Sequence, residues 1–349
     1  MRAFLFDNNL LFDYAKACDS CGHGRISLRQ DKTRCDGQRW RCTNRKCNVH
    51  IPLRKDSFFS HSHLLLAQIV QVIYYWTYKY PQHIVEHETG ISAPTIVDFY
   101  NFCREVCCVV VEEESEPIGG PGKVVEVDES KFGKRKYHRG RRVDGVWVFG
   151  GIERNSSPPK CFFEVVPDRS AKTLIALIKK WILPGTTVAS DCWKGYSSLE
   201  AEGYVHQTVN HSITFVSDSG VHTNTIESRW NSLKKSLPKF GTSKALYDSY
   251  FAEYCIRRKY LDSSADKFLQ FLSVIRLVYK PKQLARPIDA HISGADQHTA
   301  AAQEPLREQA DCQHSTQDDV ASNDWRSVDI GNFDLKFDFS DDCDDDIFA

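Results

Sequence analysis

The sequence predicts an α/β protein with a mixed β-sheet, preceded by a cysteine-rich module and a helical segment. Closely spaced cysteines lie within residues 1–60, and the apolar run LLLAQIVQVIYYW falls in the helix-like segment 61–115. Residues 124–280 alternate strand-like and helix-like patterns, which favours a sheet covered by helices. Glycine and proline mark 116–123 as a linker, and the periodicity fades over 281–349.

Charge is distributed unevenly along the chain, whose net charge is −1. Eleven aspartates against Arg326 and Lys336 give the segment from Asp318 onward a charge of −9, so the preceding residues carry +8. A basic body suits a polyanionic partner. The acidic, low-complexity tail is predicted to be disordered, and it either improves solubility or competes with the polyanion for the basic surface.

The cysteines indicate the compartment. No apolar run approaches the roughly eighteen residues needed for a membrane span, and the N-terminus lacks the pattern of a secretory signal. We therefore expect a reducing compartment, in which closely spaced cysteines bind metal rather than form disulfides.

The N-terminal module has cysteines at the spacing of metal ligands: Cys18, Cys21, Cys42 and Cys47. Four thiolates suit tetrahedral Zn²⁺, and the intervening segments GRISLRQ and GQRWRC predict short strands, as in a zinc ribbon. A segment this polar needs a metal to fold, so we expect one structural Zn²⁺. Alternatives for the fourth ligand are Cys35, His23 and His50. Arg41 and Arg45 are predicted to contact DNA phosphates.

The helical segment contains a candidate helix-turn-helix. A short helix over 83–88 precedes a turn at Thr89-Gly90, and Ser92 is a suitable N-cap for a helix reaching about Cys108. In such a pair the second helix enters the major groove of DNA, although helical hairpins also occur without any DNA role.

Three acidic residues follow strand- or helix-like patterns. Asp128 ends the run VVEVD, and Asp191 ends the short strand TTVASD. Glu227 lies in the helix-like stretch HTNTIESRWNSLKK, seven residues before Lys234, which is either a phosphate contact or an exposed lysine. Between the first two acids lie two further strands and an amphipathic helix capped by Ser170.

The motifs VDESKFGK, ASDCWKGYSSL and HTNTIESRWNSLKK, behind the cysteine module, resemble Merlin-type transposases and their bacterial insertion-sequence relatives with an ISXO-like transposase domain. The resemblance covers about residues 15–262 and implies an RNase H-like catalytic domain. It also implies that Asp128, Asp191 and Glu227 are the catalytic acids, with Asn224 as the rival third ligand. After these acids the chain departs from the family, because EYCIRRKYLD stands where relatives carry an Arg-Tyr-Asn-like stretch.

The chemistry of that family explains the choice of carboxylates. Cleavage and joining of DNA strands need two Mg²⁺ or Mn²⁺ ions, which prefer oxygen ligands, and Asp128 is the expected bridging ligand. A single aspartate at a strand end is more commonly a cap, so the joint pattern is what supports the triad. Neighbouring acids that complicate the assignment are Glu126, Glu129 and Asp144. His222 is a ligand-orienting or structural residue. Trp193 and Trp230 are expected to pack in the core, the alternative being a stack on a displaced base.

The leading hypothesis is a cut-and-paste transposase that binds double-stranded DNA, acts as a homo-oligomer and resides in the nucleus of a eukaryotic host. The alternatives are a domesticated DNA-binding protein that no longer cleaves and a ribonuclease of similar fold. The basic N-terminal modules favour double-stranded DNA over RNA as the partner.

Overall fold

The computed structural model describes residues 1–133, 145–209, 222–238, 242–262 and 264–280. The segment 281–349, predicted to be a disordered acidic tail, lies outside the described residues.

The N-terminal module is a small antiparallel sheet behind a short helix. Its elements are α1 (Arg2–Asp7), β1 (Ile26–Gln30), β2 (Gln38–Cys42) and β3 (His50–Pro52). The strands pair in the order β1-β2-β3, with Ile26 opposite Cys42 and Trp40 opposite Ile51. The two predicted strands are present, and Trp40 packs in the small core around the four cysteines.

Helices from both ends of the described chain form a second core. They are α2 (Leu66–Thr77), α3 (Gln82–Thr89), α4 (Ala93–Glu114) and α8 (Lys267–Val278). Their buried side chains pack with Leu5, Leu10 and Phe59 from the N-terminal region. The apolar surface of residues 1–60 that does not contact the cysteines is therefore buried against helices.

The α3–α4 turn follows the sequence prediction. Gly90 ends α3 with φ of 65°, a left-handed conformation that glycine adopts without steric cost, and Ser92 is the N-cap residue of α4. The second helix is longer than expected, because it continues past Cys108 to Glu114. Lys259 Nζ donates to Glu114 Oε2 at 2.8 Å, which offsets the unfavourable acid at the carboxyl end of a helix.

The larger sheet has five strands in the order β10-β9-β5-β6-β7. Its strands are β5 (Val124–Phe132), β6 (Val146–Glu153), β7 (Cys161–Val166), β9 (Thr187–Asp191) and β10 (Val205–Val209). Strand β6 is antiparallel to both of its neighbours, β5 and β7, whereas β9 and β10 run parallel to β5. The sheet is mixed, as the sequence predicted. Within the predicted linker, β4 (Ile118–Gly119) pairs in parallel with β8 (Ile182–Leu183).

Helices cover both faces of this sheet because its strands alternate their side chains between two cores. Val125 and Val127 of β5 face α5 (Ala171–Trp181). Phe132 of the same strand faces α6 (Asn224–Ser236) and α7 (Tyr247–Ile256). After β9 the chain forms short 3₁₀ turns, at Lys194–Tyr196 and Glu200–Glu202.

Helix α7 and the turn that follows it contact both cores. Phe251 packs against the sheet, while Ile256 packs against the helices. In the π-helical turn Arg257–Leu261, the buried Arg257 donates to the carbonyls of Thr77 at 2.7 Å and Trp76 at 2.8 Å, at the end of α2. The stretch EYCIRRKYLD, which departs from the family pattern, therefore caps a helix of the second core.

Among the described residues, no helix is both long enough and apolar enough to cross a membrane.

Candidate functional site

Two of the predicted acids lie on adjacent parallel strands. Asp191 ends β9, whereas Asp128, predicted to end its strand, lies in the middle of β5, which continues to Phe132 in its pairing with β6. Strands β5 and β9 pair in register up to Glu126 and Ala189. Asp128 and Asp191 each lie two residues beyond that pair, and neighbouring strands are about 4.8 Å apart. The two carboxylates therefore emerge side by side at the carboxyl end of the parallel pair, although 62 residues separate them in the chain.

Helix α6 lies alongside β5 and runs in the same direction. Four residues of a helix rise about 6.0 Å and two residues of a strand about 6.7 Å. Every fourth residue of α6 can therefore contact every second residue of β5. Three hydrogen bonds follow this spacing: Ile226 N–H to Glu126 Oε2 at 3.0 Å, Trp230 Nε1–H to Asp128 Oδ2 at 3.0 Å, and Lys234 Nζ to Ser130 Oγ at 2.6 Å.

Glu126 holds the N-terminus of α6. The side chain of the N-cap residue Thr223 makes no capping hydrogen bond, and the fully buried Glu126 accepts the Ile226 N–H in its place. Arg154 Nε donates to the other oxygen of Glu126 at 2.6 Å, and His222 Nδ1 lies 3.5 Å from that oxygen. In the sequence, Glu126 is one of the neighbouring acids that complicate the assignment of the triad. In the structure its buried carboxylate accepts a hydrogen bond that joins β5 to α6.

A glycine makes room for the Trp230 indole. Gly150 of β6 lies opposite Asp128 in the antiparallel register, and a Cβ on Gly150 would stand 2.7 Å from Trp230 Cη2. The indole can therefore lie across the strand and reach the carboxylate. Trp230 is 4% exposed, so its predicted place in the core is confirmed.

Glu227 occupies the first turn of α6, as does its rival Asn224. Its side chain is exposed and accepts a hydrogen bond from Thr223 Oγ1 at 3.3 Å. Its negative charge nonetheless reaches Asp128, because it contributes to the raised pKa of that carboxyl group. Among the described residues, the one group of three or more ligand atoms lying within 4.8 Å of one another is a set of cysteines, so the three acids do not converge that tightly.

Two carboxyl groups of the site, those of Asp128 and Glu129, are unusually hard to ionise. Burial raises the pKa of Asp128 to about 6, with contributions from the charges of Asp191 and Glu227, against hydrogen bonds from Glu129 N–H and the Trp230 indole. Burial likewise raises the pKa of Glu129 to about 7. This electrostatic cost is one that a bound cation would offset.

Two of the remaining predicted residues, Glu129 and Trp193, have defined positions. Glu129 points away from α6 and accepts a hydrogen bond from Tyr196 Oη. Asp144 lies outside the described residues. Trp193 is 41% exposed, so the prediction that it packs in the core is wrong. The fully buried Tyr196 takes the core position of this turn instead, and it leaves the indole outside.

The four cysteine thiols of the N-terminal module converge. All four sulfurs lie within 4.8 Å of one another, with Cys18 and Cys47 at 3.7 Å and Cys21 and Cys42 also at 3.7 Å. A tetrahedral site with Zn–S bonds of about 2.3 Å has sulfur–sulfur edges of about 3.8 Å, so the cluster has the dimensions of a zinc site.

The surroundings of the cluster suit thiolate ligands. The backbone N–H groups of His23 and Gly24 lower the pKa of Cys21 to about 6, whereas burial raises the pKa of Cys42 to about 12. A central cation would stabilise both thiolates. Among the alternatives for the fourth ligand, Cys35 and His50 are exposed and lie outside the cluster.

The predicted phosphate contacts beside the cysteines are exposed. Arg41 and Arg45 lie on either side of the buried Cys42, with their side chains open to solvent. Lys234 is also exposed as a residue, and its ammonium group lies 5.3 Å from the centre of the Phe132 ring as well as donating to Ser130.

Comparison with known proteins found a matching family model, a similar protein and a similar solved structure. The family model of the ISXO2-like transposase domain matches residues 110–260. An uncharacterized transposase-like protein of Haemophilus influenzae (strain ATCC 51907 / DSM 11121 / KW20 / Rd) is 30% identical over 95 residues, which are 27% of this chain and 76% of that protein. The crystal structure of the catalytic core domain of BIV integrase covers 45% of this chain and 98% of its own, with a TM-score of 0.27 and 14% identity.

Sequence reasoning missed two residues that build the site. The capping role of Glu126 depends on a helix 100 residues away, and no local pattern signals it. Gly150 did have a signal, since glycine inside a strand commonly marks the close approach of another group.

Replacing Asp128 with asparagine is expected to stabilise the fold at high pH. A carboxyl whose pKa is raised on folding favours the folded state while protonated and loses that contribution as pH rises through about 6. Without added Mg²⁺ or Mn²⁺, the free energy of unfolding of Asp128→Asn should be about 1–3 kcal/mol higher than that of the wild type at pH 8. Near pH 4 the two proteins should be equally stable. Urea denaturation measures this difference. An asparagine variant less stable at pH 8 would contradict the described burial.

The Gly150–Trp230 contact is expected to appear in a double-mutant cycle. Gly150→Ala should destabilise the protein by about 1–3 kcal/mol, because the added methyl collides with the indole and with the Phe163 ring, whose Cδ1 would also stand 2.7 Å away. Combining it with Trp230→Phe, which removes the colliding indole atoms, should recover part of that loss. Chemical denaturation of the four proteins gives the coupling, and strictly additive effects would show that the contact is absent.

Zinc binding is expected to depend on Gly24, since a Cβ there would lie 2.3 Å from Cys42 Sγ. Gly24→Ala should weaken Zn²⁺ binding roughly 10-fold or more, whereas Ser20→Ala, in the first knuckle, should leave it unchanged. Competition with a chromogenic chelator measures the affinity. Wild-type protein that binds no Zn²⁺ would remove this assignment of the cysteines.

Proposed function

This chain belongs to the ISXO2-like transposase family, and from that premise we propose that it cuts DNA and joins the released ends to a new site. In this proposal Asp128, Asp191 and Glu227 are the catalytic acids. The enzyme class is a metal-dependent polynucleotidyl transferase.

The single observation that carries the proposal is the meeting of three elements at one edge of the sheet. Two aspartates lie just beyond the parallel pairing of adjacent strands, and a helix bearing a third acid is hydrogen-bonded along the first of these strands. Three antiparallel strands followed by two parallel ones, with helices on both faces, suit an RNase H-like fold, which we propose for residues 124–280.

The acids fit a pair of hard divalent cations, Mg²⁺ or Mn²⁺, because such ions prefer carboxylate oxygens. The raised pKa of Asp128 supports this fit, since neighbouring negative charges contribute to it. When bound, the ions stabilise the negative charge on the attacking and leaving oxygens of phosphodiester cleavage. Asn224 remains the alternative to Glu227 as the third ligand.

The chain's own residues orient the acids. The Trp230 indole holds Asp128 by its Oδ2 oxygen, and the Trp193 backbone N–H donates to Asp191 Oδ1 at 3.0 Å. Asp128 presents its other oxygen to the Glu129 N–H at 2.8 Å. Lys234, on the same helix as Glu227, is proposed to contact a phosphate close to the cleaved bond.

The N-terminal regions are proposed to bind double-stranded DNA. Residues 1–60 would form a zinc-ribbon-like module with one structural Zn²⁺, and exposed Arg41 and Arg45 support phosphate contacts beside it. The α3–α4 pair, within residues 61–115, supports a helix-turn-helix role. We further propose a homo-oligomer, because two DNA ends must be joined together, and nuclear residence in a eukaryotic host.

The test is cleavage of a labelled duplex that carries the inverted repeats flanking the coding region, with Mg²⁺ or Mn²⁺. Wild-type protein is expected to nick the repeat ends. Asp191→Ala should lower the rate on the order of 100-fold or more while leaving binding intact, because it removes a metal ligand rather than a DNA contact. The matched control is Glu200→Gln, which neutralises an exposed acid in a 3₁₀ turn of the same sheet region.

Two results would contradict the enzyme. One is specific binding of the repeats without cleavage in either metal, which would identify a domesticated DNA-binding protein. The other is cleavage that Asp191→Ala leaves unchanged, which would place the catalytic centre elsewhere. Preferential cleavage of RNA would favour the ribonuclease.

A further inference from the structure

Beside the catalytic aspartates, an arginine is held between two tryptophans. The Arg169 guanidinium carbon lies 4.1 Å from the centre of the Trp147 ring and 4.6 Å from that of Trp193. Lys131 adds a second cation, with its ammonium nitrogen 5.5 Å from the centre of the Trp147 ring. Stacking of this kind orients the planar guanidinium and leaves its N–H groups directed outward along the plane.

Trp193 is exposed yet held in place. Its indole N–H donates to the Arg169 carbonyl at 3.2 Å, and its backbone N–H donates to Asp191 Oδ1 at 3.0 Å. Gly195 lets the ring lie against the turn, because a Cβ at that position would stand 2.8 Å from Trp193 Cδ1. The side chain nevertheless remains 41% exposed. A large aromatic ring fixed in solvent is a surface suited to stacking.

The positive charge of Arg169 is available to a ligand. No carboxylate of the described residues lies within 4.0 Å of its nitrogens, unlike Arg154, which is paired with Glu126. Its charge acts on Glu129, whose carboxylate already accepts a hydrogen bond from the hydroxyl of Tyr196. The arginine is therefore pre-oriented without being neutralised.

We propose that Arg169 and Trp193 bind one nucleotide of a DNA strand next to the cleavage point, with the guanidinium on a backbone phosphate and the indole stacked on an unpaired base. This inference rests on the proposed function, because that function brings a DNA strand to Asp191. The hydrogen bond from Trp193 to Asp191 ties the nucleotide site to the catalytic carboxylate.

The base must be unpaired for a physical reason. Within a duplex both faces of a base are covered by its neighbours, so an indole can stack on it only after it has left the helix. The site therefore selects single-stranded or locally opened DNA. A protein ring that accepts an extruded base also lowers the cost of opening the duplex beside the cleaved bond.

The experiment measures binding without cleavage, using the full chain in buffer lacking Mg²⁺ and Mn²⁺. The probes are a fluorescent oligothymidylate of about 20 nucleotides and a fully paired duplex of the same length. Trp193→Ala should weaken binding of the oligothymidylate roughly 5- to 100-fold and change duplex binding much less, and Trp193→Phe should restore most of the loss. Arg169→Gln should lower the slope of log affinity against log salt by about 0.7 for the single strand.

The matched control is Arg276→Gln, which removes one exposed positive charge from α8. The proposal is overturned if Trp193→Ala binds the oligothymidylate as tightly as the wild type, or loses affinity for both probes equally. It is also overturned if Arg169→Gln changes the salt slope no more than Arg276→Gln.

Cleavage of the repeat duplex separates this inference from the proposed function. If the wild type cleaves no DNA but the binding differences hold, the nucleotide site stands and the transposase proposal fails. If the wild type cleaves while Trp193→Ala and Arg169→Gln bind and cleave normally, the site alone is wrong.

Discussion

The alignment of α6 with β5 is the constraint on which the candidate active site depends. A buried carboxylate, Glu126, would be costly unless its lone pairs were satisfied, and both its partners serve the site. The Ile226 N–H fixes where α6 begins, and Arg154 neutralises the charge. The hydrogen bonds between the two elements recur every four residues of α6 and every two residues of β5. Anchoring the first turn of α6 therefore also sets the positions of Trp230 and Glu227.

The charge of the Asp128 carboxylate lowers the stability of the folded protein. Asp128 is partly buried beside two other negative charges, and its pKa is raised in consequence. Stabilising contacts around it, such as the Trp230 indole and the Glu129 N–H, offset only part of that cost. A group of carboxylates held near one another against repulsion is poised for cations, and such pre-organisation is typical of functional sites.

Packing links the N-terminal regions to the sheet through α7. Side chains from residues 1–60, from α2 to α4 and from α8 share one core, and α7 contributes to that core and to the core beneath the sheet. Arg257 strengthens the junction by donating to the last carbonyls of α2. The cluster of four cysteines is thus one of two anchors for the N-terminal module, the other being burial of its apolar side chains against helices.

The sequence by itself determined the cysteine pairs, the Gly90 turn, the order of strands and helices, and the positions of the acids along them, because ligand spacing and side-chain periodicity are local properties. Only the tertiary structure decided which acid caps α6, why Gly150 must lack a side chain, that α8 joins the N-terminal helices, and that Trp193 lies outside the core. Each of these rests on contacts between distant segments, and a local pattern cannot specify which surfaces will meet once the chain has folded.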